Sequence, residues 1–232
     1  MRTSSHVFYL SAFVLSIAAL SLHAQTDVSA SVYGAFSSST TANSTVESPS
    51  NQAGALLELR HIWNPLAGVE GTYSYNRANQ AYSSLIYPPC PVSGIALCGP
   101  TTTTAAVPAS AHEITGDWIA SVKLGSLRPF ALAGGGVLLN VPATGTVTAT
   151  QTTCGVDDPL CSLTTTTITT STQTKAVFVY GAGLDWTVLP HLGLRVQYRG
   201  NLYRAPDLAT VFASTNSFTH NSEPMLGAFF RF

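Results

Sequence analysis

Apolar and polar residues alternate with a period of two through eight stretches: Asp27–Phe36, Ala55–Trp63, Val69–Arg77, His112–Leu124, Pro129–Asn140, Lys175–Val188, Leu194–Tyr203 and Glu223–Phe232. That period predicts β-strands with two unlike faces. On the sixth stretch Phe178, Tyr180, Ala182, Leu184, Trp186 and Val188 share one face, against Val177, Val179, Gly181, Gly183, Asp185 and Thr187. The seventh sets Leu194, Val196, Tyr198 and Leu202 against Arg195, Gln197, Arg199 and Asn201. The third and fourth repeat the contrast, with Tyr73 and Tyr75 against Glu70 and Thr72, and Ile114 and Trp118 against Glu113 and Asp117. A soluble core would not tolerate the charged rows. An apolar outside around a polar inside is the polarity of a barrel in lipid.

The connections support this. Asn64–Gly68, Gly125–Arg128 and Leu189–Gly193 are short, whereas 37–54, 79–111, 141–174 and 204–222 are long, and the two kinds alternate strictly. The fold class expected is therefore all-β: an eight-stranded antiparallel up-and-down transmembrane β-barrel over residues 25–232. Tight turns and both termini would lie in the periplasm, and the long loops outside the cell.

Carrying the same parity through the second and last stretches turns Glu58, Arg60 and Arg231 inward as well. The interior set becomes Glu58, Glu70, Glu113, Asp117 and Asp185 facing Arg60, Lys123, Arg195, Arg199 and Arg231. Buried charges are costly unless paired, and eight strands enclose only enough width for side chains to fill. A plugged, charge-paired lumen follows, and a narrow porin-like path for ions or small solutes is the alternative.

Composition then fixes the compartment. Met1 and Arg2 precede an apolar stretch from Val7 to Leu22, with Ala24 placed for cleavage, which reads as a signal peptide over residues 1–24. Only 9% of residues are charged, yet no second apolar run is long enough for a spanning helix. The formal net charge is -1 and Lys and Arg do not cluster, so nucleic acid is not an expected partner.

Four cysteines form two close pairs, Cys90 with Cys98 and Cys154 with Cys161, in loop-like sequence of an exported chain where disulfides persist. Proximity only ranks the connectivities. A zinc site is the competing reading, but the spacings are wide and no histidine sits beside them. Threonine-rich runs at Thr144–Thr153 and Ser162–Thr174 predict a hairpin above the membrane, with its tip at Gly155–Leu160. The second loop carries Cys90, Cys98 and Tyr87-Pro88-Pro89, while the first, Ser37 to Gly54, has the polar composition of a mobile loop. Any extracellular ligand would bind at such loops.

No catalytic group assembles. His112, Glu113, Asp117 and Ser121 are the nearest approach to a triad, but His112 has the opposite parity to the other three. Asp157-Asp158 offers too few oxygens for calcium, and Gly134-Gly135-Gly136 sits within a strand and opens no phosphate-binding helix. Neither enzyme activity, metal nor cofactor is expected. Trp63, Trp118, Tyr180, Trp186, Tyr198, Tyr203, Phe230 and Phe232 are candidates for the aromatic girdles at the membrane interfaces.

The final residues, Gly227-Ala228-Phe229-Phe230-Arg231-Phe232, resemble the terminal β-signal read by the barrel assembly machinery, with Met225 standing where that pattern has a polar residue. Arg128–Gly136 and Tyr180–Trp186 followed by Pro190–Arg195 resemble the central hairpins of the small outer-membrane barrel family, which includes the OmpA transmembrane domain, OmpX and the opacity-type proteins. The resemblance implies an outer-membrane location, lipid and the assembly machinery as partners, a monomer, and no single activity. No peptidoglycan-binding domain is expected after Phe232. A structural or surface-interaction protein is the expectation, and the strand polarity speaks against a soluble lipid-binding barrel.

Overall fold

The computed structural model describes residues 25–64, 66–87, 99–154, 161–209 and 211–232. The predicted signal peptide, Cys90, Cys98 and the Gly155–Leu160 tip lie outside the described residues. In chain order the described strands are β1 (Gln25–Ser37), β2 (Thr40–Ala42), β3 (Thr45–Pro49), β4 (Gln52–Asn64), β5 (Ala67–Arg77), β6 (Gln80–Ile86) and β7 (Thr101–Val107). They continue with β8 (Ala109–Ser121), β9 (Leu127–Pro142), β10 (Thr146–Cys154), β11 (Cys161–Thr169), β12 (Gln173–Leu189), β13 (Leu192–Arg204) and β14 (Phe218–Arg231).

Eight of them close an antiparallel barrel in the order β1-β14-β13-β12-β9-β8-β5-β4. Closure removes the free sheet edges that lipid could not hydrogen-bond. All eight predicted stretches are barrel strands, most of them longer than their alternation: β14 begins at Phe218 rather than Glu223. The outer surface is apolar, with Val32, Leu57, Ile114, Trp118, Phe178, Val196 and Leu226 all more than half exposed. The expected girdle residues also point outward, except Tyr203, which is buried. Tyr203 shares the parity of Arg195 and Arg199, so its ring joins the interior.

The remaining strands build a second sheet at the long-loop end, in the order β11-β10-β7-β6-β3-β2. Three hairpins are stitched together by β3 pairing with β6 and β7 with β10. The threonine-rich hairpin of β10 and β11 was legible in the sequence, and Cys154 and Cys161 are disulfide-bonded where it narrows. The first loop departs from the irregular segment expected: it forms the β2–β3 hairpin, and β6 supplies hydrogen-bond partners for β3. Residues of the fourth loop pack beneath this platform, where Leu208, Ala209 and Phe212 join Tyr82, Val107, Ala149 and Ile168 in a buried apolar cluster. Tyr82 locks the contact by donating to the Pro206 carbonyl at 2.7 Å and accepting from the Leu208 amide at 3.0 Å.

Candidate functional site: the ion-paired lumen

The inward rows converge on three fully buried guanidiniums, those of Arg60, Arg195 and Arg199. Strand register places their partners. Arg60 on β4 lies opposite Glu70 on β5, and Arg195 on β13 opposite Asp185 on β12. Arg195 Nε donates to Asp185 Oδ1 at 2.7 Å, while Nη2 meets Asp27 Oδ1 and Nη1 meets Glu58 Oε2, each at 3.0 Å. Arg60 Nε donates to Glu70 Oε2 at 2.7 Å and its Nη1 reaches Asp185 Oδ2 at 3.3 Å, so one carboxylate bridges two arginines. Ser29 donates a short hydrogen bond to Glu58.

Towards the platform a second tier gathers around Arg199. Its Nη2 lies 3.2 Å from Glu113 Oε1 and 3.7 Å from Asp117 Oδ2. Asn201 Nδ2 bridges Glu113 Oε2 at 3.0 Å and Glu223 Oε1 at 3.1 Å. Thr72 and Thr115 hydroxyls, 2.7 Å apart, line the step between the tiers. Ion pairs of this kind offset desolvation only where hydrogen bonds use up the remaining donors and lone pairs, and Arg195 is the most fully engaged of the three.

Part of the wall is apolar. Ile119, Phe130, Leu132, Leu138, Val177 and Val179 form a buried cluster on β8, β9 and β12. The Arg60 guanidinium lies 4.1 Å from the centroid of the Phe130 ring, and Arg195 lies 5.5 Å from Phe130 and 5.4 Å from Phe229. Glycine makes room for these rings: a Cβ on Gly183 would overlap Phe130, and one on Gly193 would overlap Phe229.

Of the interior set read from the sequence, Glu58, Arg60, Glu70, Glu113, Asp117, Asp185, Arg195 and Arg199 are buried together in these tiers. Arg231 faces inward at the short-turn rim, half-buried, with its Nη1 3.2 Å from Thr187 Oγ1. Lys123 does not join them. β8 ends at Ser121, and the turn to β9, with Gly125 at a φ of 64°, carries Lys123 into an exposed position. Asp27, Glu223 and Arg128 are the interior charges the alternation missed. Asp27 lies opposite both Arg60 and Arg231, and Arg128 opposite Asp185.

The catalytic candidates stay apart. Glu113, Asp117 and Ser121 are buried inside, whereas His112 turns to the outer wall, where its Nδ1 lies 2.9 Å from the Tyr73 hydroxyl. Phe230 and Phe232 lie on the outer surface with ring centroids 5.4 Å apart, and a Cβ on Gly227 would overlap Ser31 of β1.

A closed barrel that is apolar outside and charge-paired within is an outer-membrane barrel. The chain belongs to the family described as outer membrane protein beta-barrel domain, which matches residues 10–222. Among solved structures it is similar to the neisserial surface protein NspA, 14% identical with a TM-score of 0.48, covering 90% of this chain and 99% of that one. It is also similar to Ail of Yersinia pestis in complex with the heparin analogue sucrose octasulfate, 14% identical with a TM-score of 0.45 over 90% and 99% of the two chains. OprG of Pseudomonas aeruginosa is 10% identical with a TM-score of 0.46 over 90% and 96%. A search of curated proteins found no match.

Proposed function

We propose that this chain is a closed structural barrel whose extracellular platform is an interaction surface. The observation that carries this reading is the stitching of three hairpins into one sheet. Loops that merely shield a barrel mouth need no pairing between them. β3–β6 and β7–β10 pairing, with the fourth loop packed beneath, holds a broad surface in one geometry, which is what a binding site on rigid elements requires. The ion-paired lumen supports a role without solute passage, since the bore is occupied by the side chains of Arg60, Arg195 and Arg199 and their partners.

In this reading the long-loop end faces outward and the short turns face the periplasm. Residues 1–24 are the leader removed on export, and Gly227, Phe230 and Phe232 guide assembly. Deleting Thr146–Thr167 tests the platform while leaving the barrel strands in place. Loss of adhesion to host cells or matrix, with the variant still folded in the outer membrane, is expected. Unchanged adhesion with normal assembly would refute the role of the platform.

A further inference from the structure

The two tiers of the lumen do not carry the same charge. Near the short turns Asp27, Glu58, Glu70 and Asp185 are matched by Arg60 and Arg195, which pair with them, and by Arg128 and Arg231, which stand opposite Asp185 and Asp27 in the strand register: four acids to four bases. Towards the platform Glu113 and Asp117 pair with the buried Arg199, and Glu223 lies opposite it on β14; among the described residues Arg199 is the one buried base of this tier. Written as ionised groups, the upper tier has an excess of two negative charges (three acids less one base), and such an excess is costly in a low-dielectric interior.

A small cavity of about 20 Å³ lies beside this tier. Space of that order admits roughly one ion or water. Glu113 and Glu223 line it. So do side chains whose polar atoms have no hydrogen-bond partner among the described residues: Glu223 Oε2 and Gln80 Oε1, on residues 2% and 3% exposed, and the less buried Asn76 Oδ1. Asn140, 2% exposed, also lines the cavity with Nδ2 unpartnered, and a half-turn of the amide presents its oxygen instead. Arg77 also lines the cavity and is exposed.

From this coincidence of excess negative charge with unpartnered oxygens we infer that the upper lumen is a binding site for one hard divalent cation of the calcium class. Glu223 and Glu113 supply the charge, and Gln80 and Asn76 supply neutral oxygens. Calcium accepts mixed carboxylate, amide and water ligands in flexible geometry. Among the described residues no three acidic, histidine or cysteine side chains converge to hold a metal, so the site leans on amide oxygens. A bound cation would tie β14 and β8 of the barrel to β6 of the platform.

The test uses the purified full-length barrel refolded in lipid nanodiscs at neutral pH after EDTA treatment. Millimolar CaCl2 is expected to raise the thermal midpoint by about 5 °C or more, and TbCl3 to give tyrosine-sensitised luminescence through Tyr203, which lines the cavity. Glu223→Gln is expected to abolish both responses. Gln80→Met, with no change of charge and outside the membrane-spanning strands, should weaken both and covers the case in which Glu223→Gln does not fold. Absence of a CaCl2 shift in the wild-type protein overturns the proposal. A shift that persists undiminished in both variants overturns it equally, because the cation would then sit elsewhere.

Discussion

Arg195 and Asp185 face each other across the β12–β13 ladder and join Nε to Oδ1 at 2.7 Å, with both side chains shut off from solvent. Asp185 also accepts from Arg60, so the pair links β13, through β12, to β4 on the far side of the barrel. The lumen is therefore a cross-brace as much as a filling. Replacing Arg195 by Leu strands Asp185, Asp27 and Glu58 without their shared cation. The expected cost is about 3–5 kcal/mol, read from urea unfolding in detergent or lipid. Pairing Arg195→Leu with Asp185→Leu should cost less than the sum of the two single changes, whereas additive costs would show that the pair is not coupled.

Lys123 serves as the contrast. Exposed in the β8–β9 turn, it should be replaceable by Ala with a change within about 0.5 kcal/mol. A cost on the scale of Arg195→Leu in the same unfolding assay would place it in the network after all.

Gly183 sits against the Phe130 ring, and the Val196 carbonyl would lie 2.7 Å from an added Cβ. Gly183→Ala should therefore force the ring off the Arg60 guanidinium. A loss of about 1–3 kcal/mol is expected, as for overpacking elsewhere. Unfolding midpoints equal to wild type would mean the ring can move aside freely.

Glu47, on β3 of the platform and outside the membrane, is buried opposite Tyr82, with both carboxylate oxygens unpartnered among the described residues. Burial, and then Asp207 beside it, push its pKa from 4.5 up to about 8 against the opposing pull of Lys175. The folded platform thus binds this proton more tightly than the unfolded one. The stability that Glu47 contributes is fully present below pH 4.5 and is lost as the pH rises through the window up to about 8. Hydrogen-exchange protection of residues 40–49, taken relative to the intrinsic exchange rate at each pH, should fall across that window, and Glu47→Gln should flatten the profile. A profile that Glu47→Gln leaves unchanged would assign the dependence to other groups.

Much of this was written in the alternation. The inward rows of β5, β8, β12 and β13 and the alternation of short and long connections were readable because lipid and lumen impose opposite polarities on adjacent residues. Asp27 and Glu223 were missed although each has the parity of its neighbours, since each stands first in its alternating stretch, where the pattern has no preceding residue to confirm it. Lys123 was misplaced for the converse reason: its parity is right, but the strand ends before it. Tyr203 misled because an aromatic near a strand end suits both a girdle and a lumen. The platform was least legible. Pairing of β3 with β6 and of β7 with β10 is backbone hydrogen bonding between distant loops, and threonine-rich sequence signals a strand without naming its partner.

In the function proposed here, buried arginine–carboxylate pairs close the bore. Single-channel recording of the purified protein in a planar bilayer tests it most directly. No steady conductance is expected from the intact protein, and transient openings should become more frequent in Arg195→Leu. Steady, ohmic conductance from the intact protein would contradict the account.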